Sequence, residues 1–165
     1  MGSTRLLTNI IQRKVMLPEE MSPSMQRDNF EVALTDFEKH PIIKCLFKAD
    51  NQRSTECWSV QEIANFIEDC TEDQNINLCI LYWKDIHGNI YIIDGAHRLS
   101  CIYAWINRYF ADEQVPQAPN FNDPQKQDIR YLRNYLGDLA DFQKICTDAE
   151  FAEKKSKLGD IKISF

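Results

Sequence analysis

The residues best suited to chemistry are the five at 94–98, which read Asp-Gly-Ala-His-Arg. They follow the apolar run 90–93 and precede apolar residues at helical spacing, so the sequence predicts a turn from a strand into a helix. Gly95 lets the backbone change direction sharply at this point. The first turn of a helix presents amide donors and partial positive charge, which together favour a bound anion.

The side chains of this turn indicate phosphate chemistry. Arg98 offers a planar fork for bidentate contact with a phosphate, and His97 is suited to general acid–base catalysis. Asp94 has three open roles: it could cap the helix, bind a divalent metal ion, or orient Arg98 or His97. We therefore predict catalytic residues at Asp94, His97 and Arg98. The predicted phosphate-binding residues are Gly95, Ala96 and Arg98.

Each of these side chains also has a purely structural interpretation. Aspartate is a preferred N-cap, arginine is common on the solvated face of a helix, and most histidines are hydrogen-bonded without acting in catalysis. The catalytic interpretation rests on all three types standing together at one strand-to-helix turn.

The predicted secondary structure places this turn between a β-hairpin and a long amphipathic helix. Alternating or continuous apolar runs predict strands, and apolar residues three, four and seven apart predict helices. Before the turn, the predicted elements are a β-prone segment at 13–17, a helix at 29–40 capped by Asp28, a short strand or buried turn at 42–47, a polar loop at 48–56, and a helix after Ser59, whose hydroxyl forms a capping box with Glu62. A core strand at 76–83, a hairpin turn at 84–89 and a returning strand at 90–93 lead into a helix from 94 to about 110. The predicted elements after it are a helix from Pro124 whose apolar stripe includes Tyr135, a helix at 149–157 ending at Gly159, and a terminal strand at 161–165.

A basic stripe is predicted on the helix after residue 124. Lys126, Arg130 and Arg133 lie at intervals of four and three residues, which places them on one face. This stripe either contacts a nucleic-acid backbone or forms the solvated side of an amphipathic helix.

Composition limits the classes of function. The 165 residues, 44% hydrophobic and 27% charged, suffice for one domain with its own core. The net charge of −6 argues against nonspecific nucleic-acid binding, because phosphate neutralisation needs a positive face. No apolar run is long enough for a membrane span, and the first residues lack the features of a secretory signal. We therefore expect a cytoplasmic protein with no membrane partner.

The cysteines predict neither a metal centre nor a disulfide framework. The six, at 45, 57, 70, 79, 101 and 146, form no C-x-x-C pair and have no histidine at zinc-ligand spacing. We expect reduced and mostly buried thiols. Zinc, haem and flavin are not expected as cofactors.

Residues 90–106 resemble the signature of the ParB/sulfiredoxin-like superfamily, which has G-x-x-R at a strand-to-helix turn. Within them, residues 94–99 are similar to the DGQQR and DGQHR motifs of bacterial restriction and phage-defence domains. Upstream, residues 24–27 are similar to the P-x-x-Q-R segment of that superfamily, and Trp58-Ser59 is similar to its W-x-x-x-x-I element. The resemblance covers about residues 13–110 and implies a nucleotide- or phosphate-binding pocket that also includes Arg27.

Two departures from the superfamily narrow the implied activity. Sulfiredoxin has a nucleophilic cysteine where this chain has Ala96, so reduction of sulfinic acids is not expected. ParB proteins have a later E-N-x-R element for nucleoside triphosphates, and this sequence has none. A DNA clamp switched by CTP is therefore not expected either.

The resemblance and the residues together lead to one set of expectations. The fold class is α+β, a small mixed β-sheet flanked by helices, with a ParB/sulfiredoxin-like domain at 1–115 and a helical extension at 116–165 packed on it, cut from a longer protein. The function is a nuclease or NTPase, with a non-catalytic DNA- or nucleotide-binding regulatory module as the alternative. Expected cofactors are a nucleoside triphosphate and Mg²⁺, with Asp94 as the candidate metal ligand. Expected partners are a nucleotide or nucleic acid, and a protein partner or C-terminal effector domain.

Overall fold

Two small mixed sheets and a set of helices make up the part of the chain that the structure describes. The structure is a computed structural model that describes Leu7 and residues 10–20, 29–50, 58–72, 76, 78–108 and 123–165. The strands are β1 Arg13–Lys14, β2 Glu31–Ala33, β3 Leu46–Ala49, β4 Leu78–Cys79, β5 Leu81–Lys84, β6 Ile90–Asp94 and β7 Lys162–Ser164. The α-helices are α1 Val60–Glu72, α2 Ala96–Ile106, α3 Asp123–Leu136, α4 Phe142–Thr147 and α5 Ala152–Asp160. Short 3₁₀ helices span Pro18–Glu20, Leu34–Lys39, Pro41–Cys45, Gly137–Ala140 and Ala149–Phe151.

The larger sheet has the strand order β1-β3-β6-β5, and the smaller one has the order β2-β7-β4. In the larger sheet β1, β3 and β6 are parallel and β5 runs antiparallel to β6. In the smaller sheet β7 is antiparallel to β2 and parallel to β4. The predicted α+β class with mixed sheet structure is therefore confirmed.

The parallel strands of the larger sheet define the position of α2. Lys48 of β3 pairs with Ile92 of β6, so the two strands end at the same edge of the sheet. The chain passes from that end of β6 through Gly95 into α2. In open sheets of this kind, ligands bind outside the carboxyl ends of the parallel strands.

Helix α1 begins at the capping box that the sequence predicts. The Ser59 amide donates to Glu62 Oε2 at 2.6 Å, and the Glu62 amide donates to Ser59 Oγ at 3.3 Å. Ile63 and Ile67, one helical turn apart, are fully buried. Helix α1 packs against α2, α3 and α5, so its start is fixed by both capping and packing.

The C-terminal segment contacts α2 and also contributes a strand to the smaller sheet. Trp105 Nε1 donates to the Leu139 carbonyl oxygen at 3.0 Å, and Arg108 Nη2 donates to both carboxylate oxygens of Asp141 at 2.7 Å. Strand β7 lies between β2 and β4, which confirms the predicted terminal strand. The division between residues 115 and 116 stays a prediction.

Two predicted elements are wrong in kind. Residues 31–33 of the predicted helix 29–40 form β2 instead, because they pair with β7, and only Leu34–Lys39 is helical, as a 3₁₀ helix. The predicted cap Asp28 lies outside the described residues. The predicted strand 76–83 is divided at Ile80, since β4 belongs to the smaller sheet and β5 to the larger one.

Several predicted boundaries also differ from the structure. Helix α2 ends at Ile106 instead of about residue 110, and α5 continues through Gly159 to Asp160. Tyr135, predicted in the apolar stripe, is 47% exposed, because its hydroxyl hydrogen-bonds to Glu68 of α1 at 3.2 Å.

The hairpin between β5 and β6 is held by one buried carboxylate. Asp85 is 3% exposed and accepts hydrogen bonds from the amides of His87 and Asn89, the Asn89 side chain and the Tyr91 hydroxyl, at 2.6–3.3 Å. Burial opposes its ionisation, but these hydrogen bonds outweigh burial and hold the pKa of Asp85 below its ordinary value. The hairpin therefore depends on an ionised Asp85.

We expect Asp85→Ala to destabilise the fold by about 3 kcal/mol at pH 7, because several buried donors lose their acceptor. Since the pKa of Asp85 is lower in the folded state, its contribution is full above the unfolded value of about 3.9 and is lost as pH falls through the folded value. Urea unfolding at pH 7 and near pH 2.5 measures both effects. The matched control is Asp36→Ala, at an exposed position. Equal losses in the two variants at pH 7 would contradict this account.

Candidate functional site

The turn between β6 and α2 requires glycine at position 95. Gly95 has φ +94° and ψ 6°, in the left-handed region. A Cβ atom at this position would lie 2.5 Å from Ile80 Cδ1. Helix α2 starts directly from the turn, since the Leu99 amide donates to the Gly95 carbonyl oxygen at 3.0 Å.

Asp94 orients Arg98 and does not cap the helix. Gly95 is the N-cap residue of α2, so the N-cap position has no side chain that could cap the helix. Arg98 Nη2 donates to Asp94 Oδ2 at 3.0 Å. The side chain of Asp94 is 70% exposed and that of Arg98 is 28% exposed, so the pair contributes little to stability. Its consequence is geometric: the guanidinium is held at the first turn of α2.

His97 lies against an aromatic side chain from the start of α1. Its ring stacks on Trp58, with ring centroids 5.5 Å apart and planes 21° from parallel. Trp58 in turn packs edge-to-face on Phe66 at 5.4 Å. The imidazole is half-buried. The Trp58–His97 stack therefore brings the start of α1 against the first turn of α2.

Glu62 of α1 is a carboxylate near His97. Hydrogen bonds from the backbone and side chain of Ser59 lower the pKa of Glu62, and the nearby charge of His97 lowers it further. The sequence identified Glu62 only as a capping residue, and it offered Asp94 as the residue that orients either His97 or Arg98. The structure brings Asp94 to Arg98 and Glu62 to the vicinity of His97.

Lys48 is a buried residue near the carboxyl edge of the sheet whose position sequence reasoning missed. The sequence placed it in a polar loop, but it belongs to β3 and is 4% exposed. It pairs in register with Ile92, two residues before Asp94, near the carboxyl edge of the sheet. Lysine is almost never buried this fully without a partner. Its place in a parallel strand, visible only after pairing with β6, is the signal that the sequence lacks.

The remaining predicted site residues are placed as follows. Gly95 and Ala96 are buried at the turn. Arg130 and Arg133 are exposed on α3, which packs on α1, and their contact with nucleic acid stays a prediction. Arg27 and the side chain of Lys126 lie outside the described residues.

The described residues contain no cluster of three or more His, Cys, Asp or Glu side chains that could hold a metal ion. Magnesium sites commonly use only one or two carboxylates together with phosphates of the substrate. Asp94 fits such a role as a single ligand, in competition with its ion pair to Arg98.

Two buried thiols adjoin this region and are poor nucleophiles. Burial raises the pKa of Cys70 to about 12 and raises the pKa of Cys101 well above its ordinary value. Cys70 and Cys101 are buried as the sequence predicts, whereas Cys79 is exposed and Cys45 and Cys146 are half-buried, so the expectation of mostly buried thiols is only partly met.

No known protein family, curated protein or solved structure matches this chain. The similarity of residues 90–106 to the ParB/sulfiredoxin-like signature therefore stays a prediction from the motif. Within the described ranges, none of the helices has the length and apolar character that crossing a bilayer requires.

We expect Gly95→Ala to destabilise the protein by about 3 kcal/mol, since alanine adds both backbone strain and a collision with Ile80. The matched control is Gly88→Ala in the hairpin turn, where φ is +84° but a Cβ meets nothing within 4 Å. That variant should lose only about 1 kcal/mol from backbone strain. Urea unfolding compares the two. Equal losses would show that the contact between the turn and Ile80 is unimportant.

Proposed function

We propose that this chain is a nucleotide- or nucleic-acid-phosphate-binding domain that acts as a nuclease or NTPase at the Asp94–Arg98 turn. The observation that carries the proposal is the start of α2, where the N-cap residue is glycine and Asp94 holds Arg98 in the first turn. Amide donors and a guanidinium within one turn form a favourable setting for a phosphate.

Charge at the carboxyl edge of the sheet supports an anionic ligand. The charges of Asp94 and Arg98 offset one another in their ion pair, and the start of α2 adds partial positive charge beside them. A phosphate that takes over hydrogen bonds from Asp94 gains a bidentate contact with Arg98. The exposure of the Asp94 side chain makes this exchange inexpensive, because its carboxylate returns to water.

Hydrolysis assigns a separate role to His97. A water molecule attacks phosphorus and one P–O bond breaks, a phosphodiester bond in a nucleic acid or a phosphoanhydride bond in a nucleoside triphosphate. His97 accepts a proton from the water or supplies one to the leaving oxygen. The remaining catalysis comes from positioning and charge stabilisation, which dominate phosphoryl transfer. Mg²⁺, when bound with the phosphates, would neutralise developing charge, with Asp94 as its candidate ligand.

A second function, a non-catalytic regulatory module, is favoured by one observation. The His97 ring is stacked on Trp58 and half-buried, a position that also suits a packing residue. In that case Arg98 holds the phosphate and no turnover follows.

For either function, the free thiols at Cys45, Cys70, Cys79, Cys101 and Cys146 support a reducing compartment such as the cytoplasm.

Thermal unfolding with nucleoside triphosphates plus Mg²⁺, or with short oligonucleotides, tests the binding site. A ligand at 100 times its Kd should stabilise the fold by about 2.7 kcal/mol, a rise in Tm of about 5–11 °C. We expect Arg98→Ala to abolish the rise and Lys39→Ala, at an exposed position on the 3₁₀ helix Leu34–Lys39, to retain it. No rise with any of these ligands, or equal rises in the two variants, would refute the proposal.

His97→Ala separates the two functions. In an enzyme it should keep the rise in Tm but lose about 10²–10⁴-fold in the rate of phosphate release or strand cleavage. Binding by the wild type with no turnover would instead establish the regulatory module.

A further inference from the structure

Helix α3 carries two exposed aromatic rings that the proposed phosphate site does not use. Tyr131 and Tyr135 are 43% and 47% exposed. They lie one helical turn apart, with ring centroids separated by 5.9 Å and ring planes 14° from parallel. This tyrosine pair therefore presents two nearly parallel rings to the solvent.

Hydrogen bonds to α1 hold both rings in place. The Tyr131 hydroxyl donates to Gln61 Oε1 at 2.6 Å, and the Tyr135 hydroxyl donates to Glu68 Oε2 at 3.2 Å. Because each ring is tied down at its outer end, a ligand that binds to it has little side-chain motion to restrict. The tyrosine pair is therefore preorganised for a flat group that stacks on it.

The side chains around the tyrosine pair are polar and include two arginines. The other exposed side chains described on α3 are Gln127, Arg130, Arg133 and Asn134. The core of a protein–protein interface is more apolar than this surface. Aromatic rings beside guanidinium groups are instead complementary to the bases and phosphates of a single-stranded nucleic acid.

The start of α1 connects the tyrosine pair with the proposed phosphate site. Gln61, which accepts the hydrogen bond from Tyr131, lies in the first turn of α1 next to Glu62. Glu62 is near His97, and Trp58, just before α1, stacks on the His97 ring. The first turn of α1 therefore lies between the start of α2 and the tyrosine pair, and a polymeric ligand can contact both.

We propose that the tyrosine pair, Arg130 and Arg133 bind single-stranded nucleic acid, with bases stacked on the rings and phosphates at the arginines. The inference rests on the proposed function, and it names a single strand instead of a free nucleotide as the substrate class. With a net charge of −6 the chain lacks a broad positive face, so stacking supplies much of the affinity. Every base has a π face, so we expect little sequence preference.

Fluorescence anisotropy with a labelled oligothymidylate of about 12 nucleotides, between about 50 and 200 mM salt, tests the inference. Tyr131→Leu and Tyr135→Leu should each weaken binding by about fivefold or more, with an unchanged salt dependence, because stacking releases no counterions. Arg130→Gln should reduce the slope of log K against log salt by about 0.7. Two controls should change neither quantity: Trp83→Leu, at a 47% exposed aromatic residue of β5, and Lys39→Gln, at an exposed lysine.

Contrary results separate this inference from the phosphate site. Absence of saturable single-strand binding to the wild type refutes the inference, as does unchanged binding in the folded tyrosine variants; if one of these does not fold, the other decides. Equally tight binding of a duplex, whose base faces are covered by their neighbours, also refutes it. The phosphate site is judged by the rise in Tm with ATP plus Mg²⁺, which should require Arg98 and persist in Tyr131→Leu. Strand binding that needs Arg98 but neither tyrosine overturns the inference alone, whereas binding that needs the tyrosines but not Arg98 supports it and overturns the phosphate site.

Discussion

The close approach of Gly95 to Ile80 is the constraint on which the rest of this structure depends. Ile80 lies where the chain passes from the smaller sheet to the larger one. Its amide donates to the carbonyl oxygen of Ser164 in β7 at 2.7 Å. The next residue, Leu81, pairs with Asp94 of β6. A Cβ atom at position 95 would lie 2.5 Å from the end of the Ile80 side chain, and φ +94° there favours glycine. One contact therefore fixes the junction of the two sheets and the point at which α2 begins.

The candidate site follows from that contact. Because the turn is tight, the first residues of α2 stand directly at the carboxyl edge of β6, with Lys48 of β3 level with Ile92. The ion pair of Asp94 with Arg98 then spans the turn itself. The start of helix α1 lies next to His97. Trp58, just before α1, stacks on the His97 ring, and the capping residue Glu62 lies close enough to interact with its charge.

Local signals in the sequence predicted much of this arrangement. Three features involve residues within a few positions of one another: the Ser59–Glu62 capping box, the hairpin at 84–89 and the glycine turn. Such features can be predicted from the sequence without knowledge of the fold. The residues 31–33 were predicted as helix because their partner, β7, lies more than a hundred residues later. A distant strand can override a local helical pattern in this way.

In the candidate site, too, the sequence predicted the residues that are close in the chain but not those that the fold brings together. The grouping of Asp94, Gly95, His97 and Arg98 was visible as a motif. The burial of Lys48 and the proximity of Glu62 and Trp58 to His97 were not, because they arise from strand pairing and from packing of α1 near α2. The sequence therefore predicted the residues of the turn, but not the partners that decide their roles.

The central claim is that a phosphate binds at the first turn of α2, and amide NMR of the isotopically labelled chain tests it most directly. During titration with ATP plus Mg²⁺, and separately with a short single-stranded oligonucleotide, the account predicts that the amides of Ala96, His97 and Arg98 show the largest shifts with at least one of the two ligands. The indole signal of Trp58 should move with them, because it stacks on His97. Shifts confined to α3, or no saturable shift at the turn with either ligand, would contradict the account.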